Sequence, residues 1–122
     1  MKILIVDDEE SIISLLCEFF SEKEDYQVDV AANGKEALER LKGKSYDLVI
    51  TDHDMPEMTG VELVRKIKQS DASVKIVMIS GYPNMQEFVA KSIGADEYLA
   101  KPLRLKMLEE IVDKYNRDKK SG

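Results

Sequence analysis

Lys2-Ile3-Leu4-Ile5-Val6-Asp7-Asp8, at the start of the chain, runs four apolar residues directly into a pair of carboxylates. The apolar run is too short for a helix and lacks the two-residue alternation of a half-covered strand. It suits a parallel strand covered on both faces. Leu48-Val49-Ile50 and Val74-Lys75-Ile76-Val77-Met78-Ile79 repeat the pattern. Gln27-Val28-Asp29-Val30-Ala31 alternates, as an edge strand would, and Glu97-Tyr98-Leu99-Ala100 is a weaker fifth candidate.

Helical stripes lie between these runs. Ile12, Leu16, Phe19 and Phe20 share one face, with Ser11 as the expected cap. Ala37, Leu38 and Leu41 follow an Asn33-Gly34 turn, and Val61, Val64 and Ile67 form a third stripe. Met85, Phe88, Val89 and Ile93 form a fourth, closed by Gly94. Leu105, Leu108, Val112 and Tyr115 make the last, and the polar tail 117–122 is expected to fray. Strand then helix, five times over, predicts an α/β fold: a doubly wound, five-stranded parallel sheet with five helices. The edge-like second strand fits the flavodoxin-like order 2-1-3-4-5, with strands 1 and 3 adjacent at the switch point.

The 122 residues fit one domain, with a core over about 2–116. A net charge of -6 argues against a broad grip on nucleic acid or anionic membrane. The lone Cys17 cannot form an internal disulfide, no apolar run is long enough to span a bilayer, and Asp7 interrupts any signal-peptide core. A cytoplasmic location is the expectation.

Ligands in such sheets bind beyond the carboxyl ends of the strands. Asp7 and Asp8 follow strand 1 and Asp52 follows strand 3, so three carboxylates should converge from distant positions. Like charges in one crevice raise one another's pKa unless a cation intervenes. A hard divalent ion, Mg²⁺ or Mn²⁺, suits carboxylates, waters and phosphate oxygens. Ser80 ends strand 4 and Lys101 follows strand 5, adding a hydroxyl and an ammonium suited to a phosphoryl group on Asp52.

Asp7-Asp8, Asp52 with Met55-Pro56 and Gly60 behind it, Ser80-Gly81 and Lys101-Pro102, in that order, resemble the receiver domain of two-component response regulators, the CheY-like superfamily. The resemblance spans about Lys2 to Tyr115. It implies that Asp52 is phosphorylated by a sensor histidine kinase and that the metal sits on Asp7, Asp8, Asp52 and the Asp54 backbone carbonyl. It also implies that Lys101 pairs with the phosphoryl group, that Ser80 and Tyr98 form a switch pair, and that Lys101-Pro102 accommodates a cis peptide bond. In this reading the chain is a phosphoacceptor switch and not an enzyme, at most dephosphorylating itself slowly. Ending after the fifth helix, it is expected to act as a single-domain regulator through protein contact or a histidine phosphotransfer protein, as a monomer or a weak phosphorylation-dependent dimer.

Two residues depart from the family pattern. His53, the chain's single histidine, stands where the family commonly has an aliphatic residue, and is read as a partly exposed loop imidazole with no ligand role. Asp54 adds a fourth carboxylate at the mouth of the site, and with Tyr82 it is expected to tune how readily water attacks the acyl phosphate. Cys17 and the scattered methionines are read as packing. Asp52-His53-Asp54 also resembles the Asp-x-Asp of haloacid-dehalogenase-like phosphatases. Its place after the third strand, the missing Thr-rich continuation and the short chain count against that rival. An interaction module with idle acids is the third reading.

Overall fold

The computed structural model describes residues 1–81 and 87–121. Strands β1 (Lys2–Val6), β2 (Gln27–Ala31), β3 (Leu48–Asp52), β4 (Lys75–Ser80) and β5 (Glu97–Ala100) alternate with helices α1 (Glu10–Ser21), α2 (Gly34–Gly43), α3 (Gly60–Ser70), α4 (Glu87–Ser92) and α5 (Leu105–Ser121). All strand pairs are parallel, in the order β2-β1-β3-β4-β5. The expected doubly wound α/β sheet is therefore present, with β1 and β3 side by side at its centre.

Alternate strand residues feed two cores. Leu4, Val6, Val49, Ile76 and Met78 pack with residues of α2, α3 and α4, such as Ala37, Leu63, Val64 and Ala90. Ile3, Ile5, Ile50, Val77 and Ile79 pack with Leu16 and Phe20 of α1 and Leu108 and Val112 of α5. Cover on both faces is what makes the central strands apolar at every position. At the sheet edge, Val28 and Val30 of β2 pack partly buried on the α1–α5 side while Asp29 bonds Lys44 and Tyr46, and the pattern alternates accordingly.

Register delivers the acids. Val6 pairs with Thr51, so the chain leaves the sheet at Asp7 beside Asp52. Ser80 pairs with Ala100, which puts Lys101 one residue beyond β5 on the same edge.

Three local expectations need correction or completion. Ser11 does not cap α1: the helix begins at Glu10, with Glu9 as its cap residue and no side-chain cap bond. The Asp7 carboxylate instead accepts a hydrogen bond from the Glu9 N–H at 2.9 Å, so a site residue sets where the helix starts. In the polar tail, α5 continues to Ser121 and Lys119 Nζ lies 2.7 Å from Asp47 Oδ2 across the end of the sheet. The α2 and α3 entries follow capping chemistry, with Asn33 accepting from the Glu36 N–H and Thr59 from the Glu62 N–H. Gly94 closes α4 with a φ of +117°, as its expected capping role requires. Tyr82, Met85 and the side chain of Phe88 lie outside the described residues.

Candidate functional site

At the carboxyl edge of the sheet, one oxygen from each of Asp7, Asp8 and Asp52 lies within 4.8 Å of the others. Asp7 and Asp52 are buried at 2% and 1% exposure, whereas Asp8 is exposed. The set is anionic, all-oxygen and open on one side, which fits a hard divalent cation that keeps some of its waters.

Burial pushes the Asp7 carboxyl up to about 6, with the charge of Asp52 adding to the effect. The Glu9 N–H and Lys101 oppose the shift. Asp52 is likewise raised by burial, against hydrogen bonds from the Asp54 N–H and Lys101. Two carboxyls that resist ionisation in the fold are what a site looks like when positive charge completes it.

Lys101 supplies part of that charge. Its Nζ lies 3.2 Å from both Asp52 oxygens and 3.6 Å from Glu9 Oε1 and from Asp54 Oδ2. Burial alone would lower the ammonium, but the Asp52 hydrogen bond and charge outweigh it and the net shift is upward. The Lys101 N–H donates to the Ser80 carbonyl at 3.0 Å, and the Lys101-Pro102 peptide is cis. Ser80 is buried at the end of β4. Tyr98, paired with Met78 in the sheet, is half-buried against the α2–α3–α4 core.

The loop after Asp52 is pinned closely. His53 donates its N–H to the Ile79 carbonyl, and its own carbonyl accepts from the Met55 and Gly60 N–H groups. The His53 imidazole is half-buried, and Nδ1 accepts from the Val61 N–H at 3.3 Å. To the reading of a partly exposed loop imidazole this adds a partner: the ring accepts from the first turn of α3. A side chain at Gly60 would put its Cβ 2.6 Å from His53 Cα and 2.7 Å from the Asp52 carbonyl oxygen.

The fold thus brings together Asp7, Asp8, Asp52, Lys101 and Asp54, with Ser80 at the same edge and Tyr98 level with Met78, two strand positions behind it. Tyr82 lies outside the described residues. Sequence reasoning missed Glu9 and the Gly81 N–H, which donates to Asp54 Oδ2 at 3.0 Å. The acidic run Asp7-Asp8-Glu9-Glu10 was the available signal for Glu9. A backbone N–H has none.

Comparison with known proteins resolves the family. Residues 3–113 match the family described as response regulator receiver domain. The chain belongs to the receiver-domain family. Receiver domains are phosphoacceptor switches and not classical enzymes, and the phosphatase reading falls away with that assignment. This receiver domain is 36% identical over 115 residues to sporulation initiation phosphotransferase F of Bacillus subtilis, covering 93% of this chain and 92% of that protein. Its fold matches the CheY-like receiver domain protein of Methanospirillum hungatei with a TM-score of 0.87 at 30% identity, over 99% of this chain and 98% of that one. It also matches the response regulator protein TrrA of Thermotoga maritima, solved in complex with Mg²⁺-BeF. The TM-score there is 0.83 at 37% identity, covering 93% of this chain and 97% of that one. Several other curated relatives are longer, the receiver domain spanning only 42% to 48% of their length. Among the described residues no helix is long and apolar enough to cross a membrane.

Proposed function

We propose that Asp52 accepts a phosphoryl group from a sensor histidine kinase and that the resulting acyl phosphate switches protein contacts. One observation carries the reading: a buried carboxylate at a strand end has an ammonium 3.2 Å from both its oxygens and two further carboxylates within 4.8 Å. An Asp52 oxygen attacks the phosphorus of a phosphohistidine. The new P–O bond forms as the P–N bond breaks, and the departing imidazole of the kinase takes up a proton. Asp52 is the nucleophile, and Lys101 follows the oxygens of the transferring group and neutralises their charge. A divalent cation, Mg²⁺ or Mn²⁺, on Asp7, Asp8, Asp52 and the Asp54 carbonyl would supply the remaining positive charge.

Ser80 and Tyr98 are the proposed switch pair. A phosphoryl group draws the Ser80 hydroxyl inward, and Tyr98 takes the space released. A charge-assisted bond of this kind contributes about 1.5–3 kcal/mol, enough to bias a balanced two-state element. Tyr98, Lys101, Arg104 and Met107 border a hollow of about 210 Å³, which favours a readout on the α4–β5–α5 face. The proposed partners are a histidine kinase and either a histidine phosphotransfer protein or another target protein. Neither nucleic acid nor membrane is involved. The working form is a cytoplasmic monomer or a weak phosphorylation-dependent dimer.

The test is a transfer profile: autophosphorylated histidine kinases of the source organism are mixed in turn with the protein and Mg²⁺. Rapid label transfer from one or a few kinases, absent in Asp52→Asn, is the expected result. Transfer from none of them, or continuous release of phosphate over many turnovers, would overturn the reading.

A further inference from the structure

Asp54 meets two donors with one oxygen. Its Oδ2 accepts from the Gly81 N–H at 3.0 Å and lies 3.6 Å from Lys101 Nζ. Its Oδ1 is buried with no hydrogen-bond partner among the described residues. A backbone N–H and an ammonium converging on one carboxylate oxygen define an anion position. That position lies next to Asp52, since the same ammonium is 3.2 Å from both Asp52 oxygens.

We propose that Asp54 is an internal anion that occupies the Gly81 N–H and Lys101 until a phosphoryl group on Asp52 displaces it, so the resting site carries its own competitor. The inference rests on Asp52 being the acceptor. It differs from a role for Asp54 toward attacking water, because the competition acts before any phosphoryl group is lost.

Three features favour displacement over a permanent brace. Oδ1 has given up water without gaining a donor, so the carboxylate is held at one oxygen only. Lys101 is shared among Asp52, Glu9 and Asp54, and a phosphoryl group would crowd more negative charge around that ammonium. Asp54 also has a way out: its side chain is 27% exposed, whereas that of Asp52 is 0% exposed. While the bond lasts it ties the loop after β3 to the loop after β4. Acceptance of the phosphoryl group would release that tie and free Lys101 together.

Fluoroberyllate, a non-covalent mimic of the phosphoryl group, tests this at saturating Mg²⁺. Its affinity is measured by titration for wild type, Asp54→Ala, Asp54→Asn and Asp52→Asn, with the Gly81 amide followed by NMR. Asp54→Ala, which removes both acceptor and charge, should bind about tenfold tighter than wild type. Asp54→Asn, which keeps an acceptor for the N–H, should fall between. The wild-type Gly81 amide should shift on saturation. Equal or weaker binding by Asp54→Ala, or an unmoved Gly81 amide, overturns the latch alone. No binding by wild type, or equal binding by Asp52→Asn, overturns the acceptor reading and the latch with it.

Discussion

Asp7 and Asp52 are held in the fold at a cost, because burial raises both carboxyls above their ordinary values. For Asp7 the sign follows directly. The unfolded chain titrates near 3.8 and the folded protein near 6, so between these values the folded state holds the proton more tightly. Without a divalent cation, stability should therefore fall as pH rises from about 4 to about 6, by about 3 kcal/mol. Urea denaturation across that range with chelator present checks it. By the same proton competition, Mg²⁺ affinity should weaken as pH drops through about 6, which titration of the metal at several pH values reads. Asp52→Asn, by removing a buried charge, should raise the urea midpoint of the cation-free protein at pH 7; a fall would contradict this account of the site. The residues whose side chains carry the chemistry were legible because each stands at the end of a strand. The Gly81 N–H was not, since its bond to Asp54 depends on how the loops after β3 and β4 meet. Nor was the imidazole–Val61 bond, since it depends on how the β3–α3 loop folds back on itself.

Elements turn on backbone approach as much as on side-chain pattern. The β3–α3 loop folds so tightly on itself that Gly60 cannot gain a side chain without pushing on the backbone of Asp52 and His53. Gly60→Ala should cost about 2 kcal/mol or more and impair Asp52 as acceptor, both measurable by urea denaturation and phosphoryl labelling. Gly43 is the control, because a methyl group added there would meet nothing within 4 Å. Gly43→Ala should be neutral or stabilising by about 0.5–1 kcal/mol. Strand positions and four helix stripes could be read from periodicity because the sheet is covered on both faces. Helix ends were less legible. Asp7, not Ser11, bonds the backbone at the start of α1, and the Lys119–Asp47 ion pair late in α5 joins residues far apart in sequence.

At the scale of the whole molecule, one edge of the sheet gathers chemistry from four strands, and β4 and β5 lead from it toward the α4–β5–α5 face. Ser80→Ala separates acceptance from output. It should still take a phosphoryl group on Asp52, but NMR shifts around Tyr98 on phosphorylation should be largely lost. Shifts as large as in wild type would remove Ser80 from the relay. The strand order was legible in outline because an edge-like β2 and carboxylates after β1 and β3 fit the order 2-1-3-4-5, in which β1 and β3 are neighbours. The identity of the partner was not, because exposed side chains carry weak pattern. The most direct test of the central claim is intact-mass analysis after incubation with acetyl phosphate, with and without Mg²⁺, for wild type and Asp52→Asn. The account predicts one phosphoryl group per wild-type chain, only with the cation present, and none on Asp52→Asn. Labelling that persists in Asp52→Asn, or a wild-type chain that takes no phosphoryl group with Mg²⁺, would contradict it.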